Sequence, residues 1–193
     1  MITLIFGDSI SWGAFDYQNG GWAEKLKKIG FKKEDFVYNC SISGNTSEDI
    51  LSRMSDEIDY RLDPEDDLRI IFAFGINDSA YRGRNYVTSI QMFVNNIEKI
   101  IAIAKKYTDD ICFIGLTCVD EEKTNPVSWA DLSYVNDDIR EFNSEMKLIV
   151  EKEKIKFVDV NELLSKNDLL DGVHPNTSGH SILLNAIVKS TSE

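Results

Sequence analysis

The chain has 193 residues, 42% of them hydrophobic, which is the size and apolar content of one globular domain. It contains 21 lysine and arginine residues and 33 aspartate and glutamate residues, which gives a net charge of -12. This negative charge disfavours nucleic acid and anionic membranes as partners. No apolar run approaches the roughly 20 residues of a membrane span, and no signal peptide is recognisable. We therefore expect a cytoplasmic protein whose three cysteines are reduced thiols, since none has CxxC spacing.

Short apolar runs rich in Ile, Val and Phe predict five buried strands. These are residues 2–6, 36–38, 68–74, 111–116 and 157–160. Helical patterns alternate with them, and the clearest lies between Ile90 and Ala104, behind a Thr88-x-x-Gln91 capping box. A second helix is predicted between Val135 and Val150. This alternation predicts one α/β domain over residues 1–193, a three-layer α/β/α sandwich with a parallel sheet at its centre.

Polar motifs follow four of the five predicted strands. They are Gly7-Asp8-Ser9, the segment from Cys40 to Asn45, Gly75-Ile76-Asn77-Asp78, and the segment from Asp171 to Pro175. Ligands of an open parallel sheet bind at the carboxyl ends of its strands, so these motifs are expected to meet. The remaining strand is followed by a long irregular segment, residues 117–132, and loops of that length are often functional.

The types of residue in these motifs suit nucleophilic catalysis. Ser9 needs a base to react at neutral pH, and His174 is one of only two histidines. Asp171, three residues earlier, is placed to hold the Nδ1 proton of that imidazole and leave Nε2 facing the serine. The amides of Gly44 and Ser9 and the side-chain amide of Asn77 are candidate donors to a developing oxyanion.

With these four blocks in order, the sequence resembles the SGNH hydrolases, also called GDSL-type esterases and lipases. The resemblance implies a flavodoxin-like five-stranded parallel sheet of order 2-1-3-4-5. It also implies a catalytic triad of Ser9, Asp171 and His174, an oxyanion hole of Ser9, Gly44 and Asn77, and a structural role for Asp8.

Two departures from the family pattern are mild. Ile10 replaces the usual leucine, and the block Leu116-Thr117-Cys118-Val119 lacks a proline-rich start. The second departure concerns the acyl or leaving-group pocket and not the triad. Because Gly-Asp-Ser-Ile-Ser is not a G-x-S-x-G elbow, the α/β-hydrolase fold is disfavoured.

Each motif also has a plainer structural interpretation. Ser9 alone would be interpreted as a helix or turn cap, and the segments 75–78 and 171–175 as turns. Cys40 and Cys118 are formal rivals to the serine, although buried cysteines are usually inert. His180 is interpreted as structural or solvent-facing, because it begins the apolar face of the last helix.

The remaining features concern the walls of a pocket and the surface. Trp12, Phe15 and Tyr17 are candidates for pocket walls, whereas Trp22 is expected in the core. The loop 81–86 contacts a polar or anionic leaving group or is a solvated loop. The acidic runs 63–67 and 120–122 are predicted to be solvated surface without metal.

The leading hypothesis is a serine ester hydrolase that works by acyl transfer, without cofactor or metal, on a small-molecule ester or thioester with a short acyl group. Two alternatives share the predicted sheet order: a receiver-like phosphoacceptor and an FMN-binding flavodoxin-like module. A receiver needs a lysine at the carboxyl end of strand five, whereas Lys156 precedes that strand. No phosphate-cradling glycine pattern supports a nucleotide cofactor.

Overall fold

The computed structural model describes residues 1–29 and 35–191. Its strands are β1 (Ile2–Gly7), β2 (Phe36–Asn39), β3 (Leu68–Ala73), β4 (Tyr81–Arg82), β5 (Asn85–Tyr86), β6 (Ile111–Ile114) and β7 (Lys156–Val158). Its helices are α1 (Ser9–Trp12), α2 (Gly21–Ile29), α3 (Ser47–Asp59), α4 (Ile90–Ala104), α5 (Glu121–Thr124), α6 (Asn136–Lys152) and α7 (Thr177–Thr191), with a 3-10 turn at Lys166–Asp168.

The main sheet is parallel throughout, in the order β2-β1-β3-β6-β7. Counting only its own five strands, the order is 2-1-3-4-5, as predicted. The strands β4 and β5 form a separate antiparallel hairpin. Every residue of β1 is buried, as expected for an interior strand of a sheet covered on both faces.

Alternate residues of β1 face two different hydrophobic layers. Leu4 and Phe6 join the apolar faces of α3, α4 and α6, whereas Ile5 joins those of α2 and α7. Trp22 is fully buried in the second layer, as predicted. The three-layer α/β/α sandwich is therefore confirmed.

The fourth and fifth strands of the sheet end about two residues earlier than predicted. The amide of Leu116 donates to Asn143 Oδ1 at 2.8 Å, and the Leu116 carbonyl accepts from Asn161 Nδ2 at 2.9 Å. The side-chain amides of Asn143 and Asn161 thus bond to the backbone of Leu116 in place of a neighbouring strand. The apolar sequence therefore extends to Leu116, although β6 ends at Ile114.

The predicted capping box of α4 is wrong by one residue. Ser89 is the N-cap, and its hydroxyl accepts from the Met92 amide at 3.3 Å. Thr88 is buried, with its amide directed to the Asp78 carbonyl at 3.3 Å. The side chain of Gln91 donates along the helix to Asn95 instead.

No helix within residues 1–29 and 35–191 is long and apolar enough to cross a membrane. The division of the chain into one domain stays a prediction.

Candidate active site

The turn after β1 presents Ser9 at the first position of α1. Asp8 caps this helix, and its Oδ1 accepts from the Ile10 amide at 2.9 Å. Position 7 requires glycine because neighbouring atoms leave no room for a side chain. A Cβ there would lie 2.5 Å from the Ala73 carbonyl oxygen and 2.0 Å from Ser11 Oγ. Burial raises the pKa of Asp8 to about 7, and the hydrogen bond from the Ile10 amide gives this carboxyl a role in the turn.

The loop before α7 holds a carboxylate and an imidazole together. Oδ1 of Asp171 accepts from the amides of Val173 at 3.0 Å and His174 at 2.8 Å, while Oδ2 accepts from His174 Nδ1 at 2.8 Å. Burial alone would raise the pKa of Asp171, but the hydrogen bonds from the His174 ring and backbone lower it to about 2. The carboxylate is therefore ionised and fixes the direction of the ring.

Ser9 and His174 meet although 165 positions separate them in the chain. Their Oγ and Nε2 atoms lie 2.8 Å apart. Because Nδ1 donates to the carboxylate, Nε2 is the unprotonated nitrogen and accepts from the Ser9 hydroxyl. The three side chains thus have the hydrogen-bonded order serine, imidazole, carboxylate that a triad requires.

Gly44 and Asn77 line the same cavity as Ser9 and His174. Gly44 has a φ of +83°, and its N–H has no protein acceptor within the described part of the chain. Asn77 Nδ2 donates one hydrogen to the Asn45 carbonyl at 2.9 Å. Its Oδ1 accepts from the Tyr134 hydroxyl at 3.2 Å, which fixes the amide orientation and leaves the second Nδ2 hydrogen free.

The cavity encloses about 480 Å³. Trp12, Phe15 and Tyr17 line it, as anticipated from their position after the serine. The Phe15 ring lies 5.0 Å from the imidazole ring of His174, centroid to centroid. Phe15 has a φ of +66°, a backbone conformation that costs a residue with a Cβ free energy and is found at functional sites.

Sequence reasoning missed several residues of the cavity wall. Trp129 lies with its ring 6.0 Å from that of His174, and Leu132 and Tyr134 complete this side. Trp129 and Leu132 belong to the irregular segment 117–132. The length of that segment was the only indication in the sequence that it has a functional role. That segment also contains the short helix α5, which the sequence did not reveal.

One secondary expectation needs correction, and two others gain support. Asp120 is buried and lies 3.2 Å from Lys166 Nζ, so the run 120–122 is not entirely solvated surface. Of the two interpretations of His180, the structural one is supported, since its side chain is fully buried and its Nδ1 accepts from the Trp22 amide. Burial raises the pKa of Cys40 to about 11, which disfavours a thiolate nucleophile there.

Solved structures with the same fold come from several bacteria. A lipolytic protein of the G-D-S-L family from Veillonella parvula has 18% identity and a TM-score of 0.78, with 100% of this chain and 99% of that chain covered. A lipase/acylhydrolase from Enterococcus faecalis has 21% identity and a TM-score of 0.75, with 98% and 94% covered. A catalytic mutant of an acetylxylan esterase from Geobacillus stearothermophilus has 19% identity and a TM-score of 0.76, with 100% and 94% covered.

A sequence comparison with curated proteins gives no match. The family model described as GDSL-like Lipase/Acylhydrolase, in contrast, matches residues 5–182, which include all four strand-end blocks. The chain therefore belongs to the GDSL-like lipase/acylhydrolase family.

Proposed function

We propose that this protein hydrolyses esters of small molecules through an acyl-enzyme on Ser9. The observation that carries the proposal is the pair of 2.8 Å contacts, from Ser9 Oγ to His174 Nε2 and from His174 Nδ1 to Asp171 Oδ2. Ser9 and His174 line a cavity large enough for a small ester.

In the proposed reaction, His174 Nε2 takes the hydroxyl proton as Ser9 Oγ attacks the ester carbonyl carbon. Asp171 stabilises the imidazolium that forms and stays ionised. The amides of Ser9 and Gly44 and the free Asn77 hydrogen donate to the oxyanion, and each such donor typically lowers the barrier by about 3 kcal/mol. The imidazolium then protonates the leaving alcohol, and a water molecule, activated by His174, releases the acid.

The substrate class we propose is a short-chain acyl ester of a water-soluble alcohol, with thioesters as an alternative. The aromatic side chains of Trp12, Phe15 and Trp129 offer flat apolar faces beside the imidazole. Such faces suit a ring-shaped alcohol, and one structural neighbour is an acetylxylan esterase. Initial rates on 4-nitrophenyl esters from acetate to decanoate should be highest for the shortest chains, and a maximum at decanoate would contradict this preference.

A fluorophosphonate probe tests the nucleophile. We expect it to label the wild type at Ser9 and to leave Ser9→Ala unlabelled. Hydrolysis of 4-nitrophenyl acetate should fall by a factor of about 10³ or more in Ser9→Ala and in His174→Ala, with the circular dichroism spectrum unchanged. Ser52→Ala, in the exposed face of α3, is the matched control and should keep wild-type activity. Labelling at another residue would contradict the proposal.

Two features of the structure do not favour the receiver alternative. Lys156 is the first residue of β7 and so lies at the opposite edge of the sheet from the strand-end motifs. Asp78, an acid that a receiver would use, is buried and accepts from the amide and hydroxyl of Ser47.

A further inference from the structure

One cationic side chain stands beside the cavity without a partner. Arg82 lines it together with Ser9 and His174, and no carboxylate does so among the described residues. Within residues 1–29 and 35–191, the side chain of Arg82 makes no hydrogen bond, ion pair or ring contact, although the chain has 33 acidic residues.

The backbone of Arg82 is firmly held, although its side chain is exposed. The neighbouring Tyr81 exchanges two backbone hydrogen bonds with Ser133, at 2.9 and 3.0 Å. The rings of Tyr81 and Tyr86 stack at 4.3 Å, and both hydroxyls donate to Asp138 Oδ1. The hairpin is therefore anchored to α6 and to the segment before it, and it keeps the arginine at the cavity.

Because the side chain of Arg82 pairs with none of the described residues, no stabilising ion pair or hydrogen bond explains why an arginine stands at this position. A guanidinium offers five N–H donors in a planar fork that matches a carboxylate. Trp12, Phe15 and Trp129 line the same cavity, and an ion pair formed beside apolar side chains is stronger than one in open water. An anionic group is therefore the part of a substrate that best suits the guanidinium of Arg82 as a hydrogen-bond acceptor and ion-pair partner.

We propose that Arg82 makes the enzyme selective for esters that carry an anionic group, such as a carboxylate, in addition to the ester bond. This inference rests on the proposed ester hydrolase function and names the substrate class of the same site. The anion lies either on the alcohol or on the acyl half of the substrate, and matched substrates distinguish the two cases.

Two substrate pairs test the proposal. For the alcohol half, 4-acetoxybenzoate is compared with the neutral 4-acetoxybenzamide. For the acyl half, 4-nitrophenyl hydrogen adipate is compared with 4-nitrophenyl hexanoate. In at least one pair, Arg82→Ala should lower the charged-to-neutral ratio of kcat/KM by about tenfold, the value of one charge-assisted hydrogen bond. Arg82→Lys should lower it less, and added salt should reduce the wild-type preference.

Arg84 supplies a matched control within the same hairpin. It carries the same charge two residues away but does not line the cavity. Arg84→Ala should therefore leave both ratios within about twofold of the wild type, because exposed charges away from the site contribute little. An Arg82→Ala variant that changes charged and neutral esters by the same factor in both pairs would overturn the proposal.

Binding separates this inference from the hydrolase proposal. Isothermal titration of the inactive Ser9→Ala variant, and of Ser9→Ala/Arg82→Ala, with 4-acetoxybenzoate and with 4-nitrophenyl hydrogen adipate measures recognition without turnover. The double variant should bind at least one of these two anionic esters about tenfold more weakly. Equal affinities of the two variants for both esters would refute the role of Arg82, whereas weaker binding combined with an absence of wild-type hydrolysis on all four esters would refute only the hydrolase proposal.

Discussion

At the scale of single residues, the site depends on which atoms hold protons. Asp171 accepts three hydrogen bonds, and its pKa of about 2 keeps it charged at neutral pH. Charge on this group is what orders the imidazole, because only an acceptor at Nδ1 leaves Nε2 free to accept from Ser9.

Asp171→Asn should lower kcat for 4-nitrophenyl acetate by a factor of about 10³ to 10⁴ with little change in KM. The carboxamide can donate to Nδ1, which moves the ring proton to Nε2 and removes the base. Glu98→Gln, at an exposed position on α4, provides the charge-matched control. A loss of less than tenfold in Asp171→Asn would mean that another group orients the ring.

Tyr134 is a positioning residue of the proposed oxyanion hole, because it acts through Asn77. Tyr134→Phe removes the hydroxyl that donates to Asn77 Oδ1, and we expect kcat to fall about tenfold while KM stays the same. In an Asn77→Ala background the same substitution should have little further effect, since its target is absent. Additive losses in the double variant would assign Tyr134 a different role.

Asp171 and Tyr134 differ in whether the sequence alone could predict their contacts. Asp171 was predictable, because a carboxylate three residues before a histidine is a local relation. The contact of Tyr134 was not predictable, since 57 positions separate it from Asn77 and no local sequence pattern indicates that they meet.

At the scale of elements, each end of a helix or strand is set by which backbone groups find partners. Thr88 and Ser89 are both suitable caps, and the sequence indicated the wrong one. Thr88 is buried beside Asp78, which leaves Ser89 to cap α4.

Ser89→Ala should lower the free energy of unfolding by about 1 kcal/mol, because the Met92 amide loses its acceptor. Ser89→Asp restores an acceptor at the helix N-terminus and should keep wild-type stability. Urea unfolding monitored by circular dichroism measures both. If Ser89→Ala unfolds at the wild-type midpoint, Ser89 contributes nothing as a cap.

At the scale of the whole molecule, buried carboxyls connect stability to pH. Burial raises the pKa of Asp8 to about 7 and that of Asp78 to about 6, from an ordinary value of 3.8. The folded protein therefore keeps protons that the unfolded chain has already released. The stabilising contribution is complete below about pH 4 and is lost as pH rises through 6 to 7.

Asp8→Asn removes one of these titrations and keeps an acceptor for the Ile10 amide. Its stability relative to the wild type should therefore increase by about 2 to 3 kcal/mol between pH 5 and pH 8. Denaturant unfolding of both proteins at the two pH values measures this change. A difference that is the same at both would show that Asp8 ionises in the folded protein at its ordinary pKa.

Local pattern was sufficient for the sheet and for the membership of the proposed triad. Apolar runs that alternate with amphipathic helices admit few connections, and in a parallel sheet they bring the motifs after Phe6 and Phe74 to one edge. Trp12, Phe15 and Tyr17 were anticipated as cavity walls from their position after Ser9, but the rest of the cavity wall was not. Trp129 and Tyr134 acquire their positions from packing between segments distant in the chain. Arg82 differs from Arg84 in lining the cavity, and which residues line a cavity is a property of the three-dimensional arrangement that no run of neighbouring residues encodes.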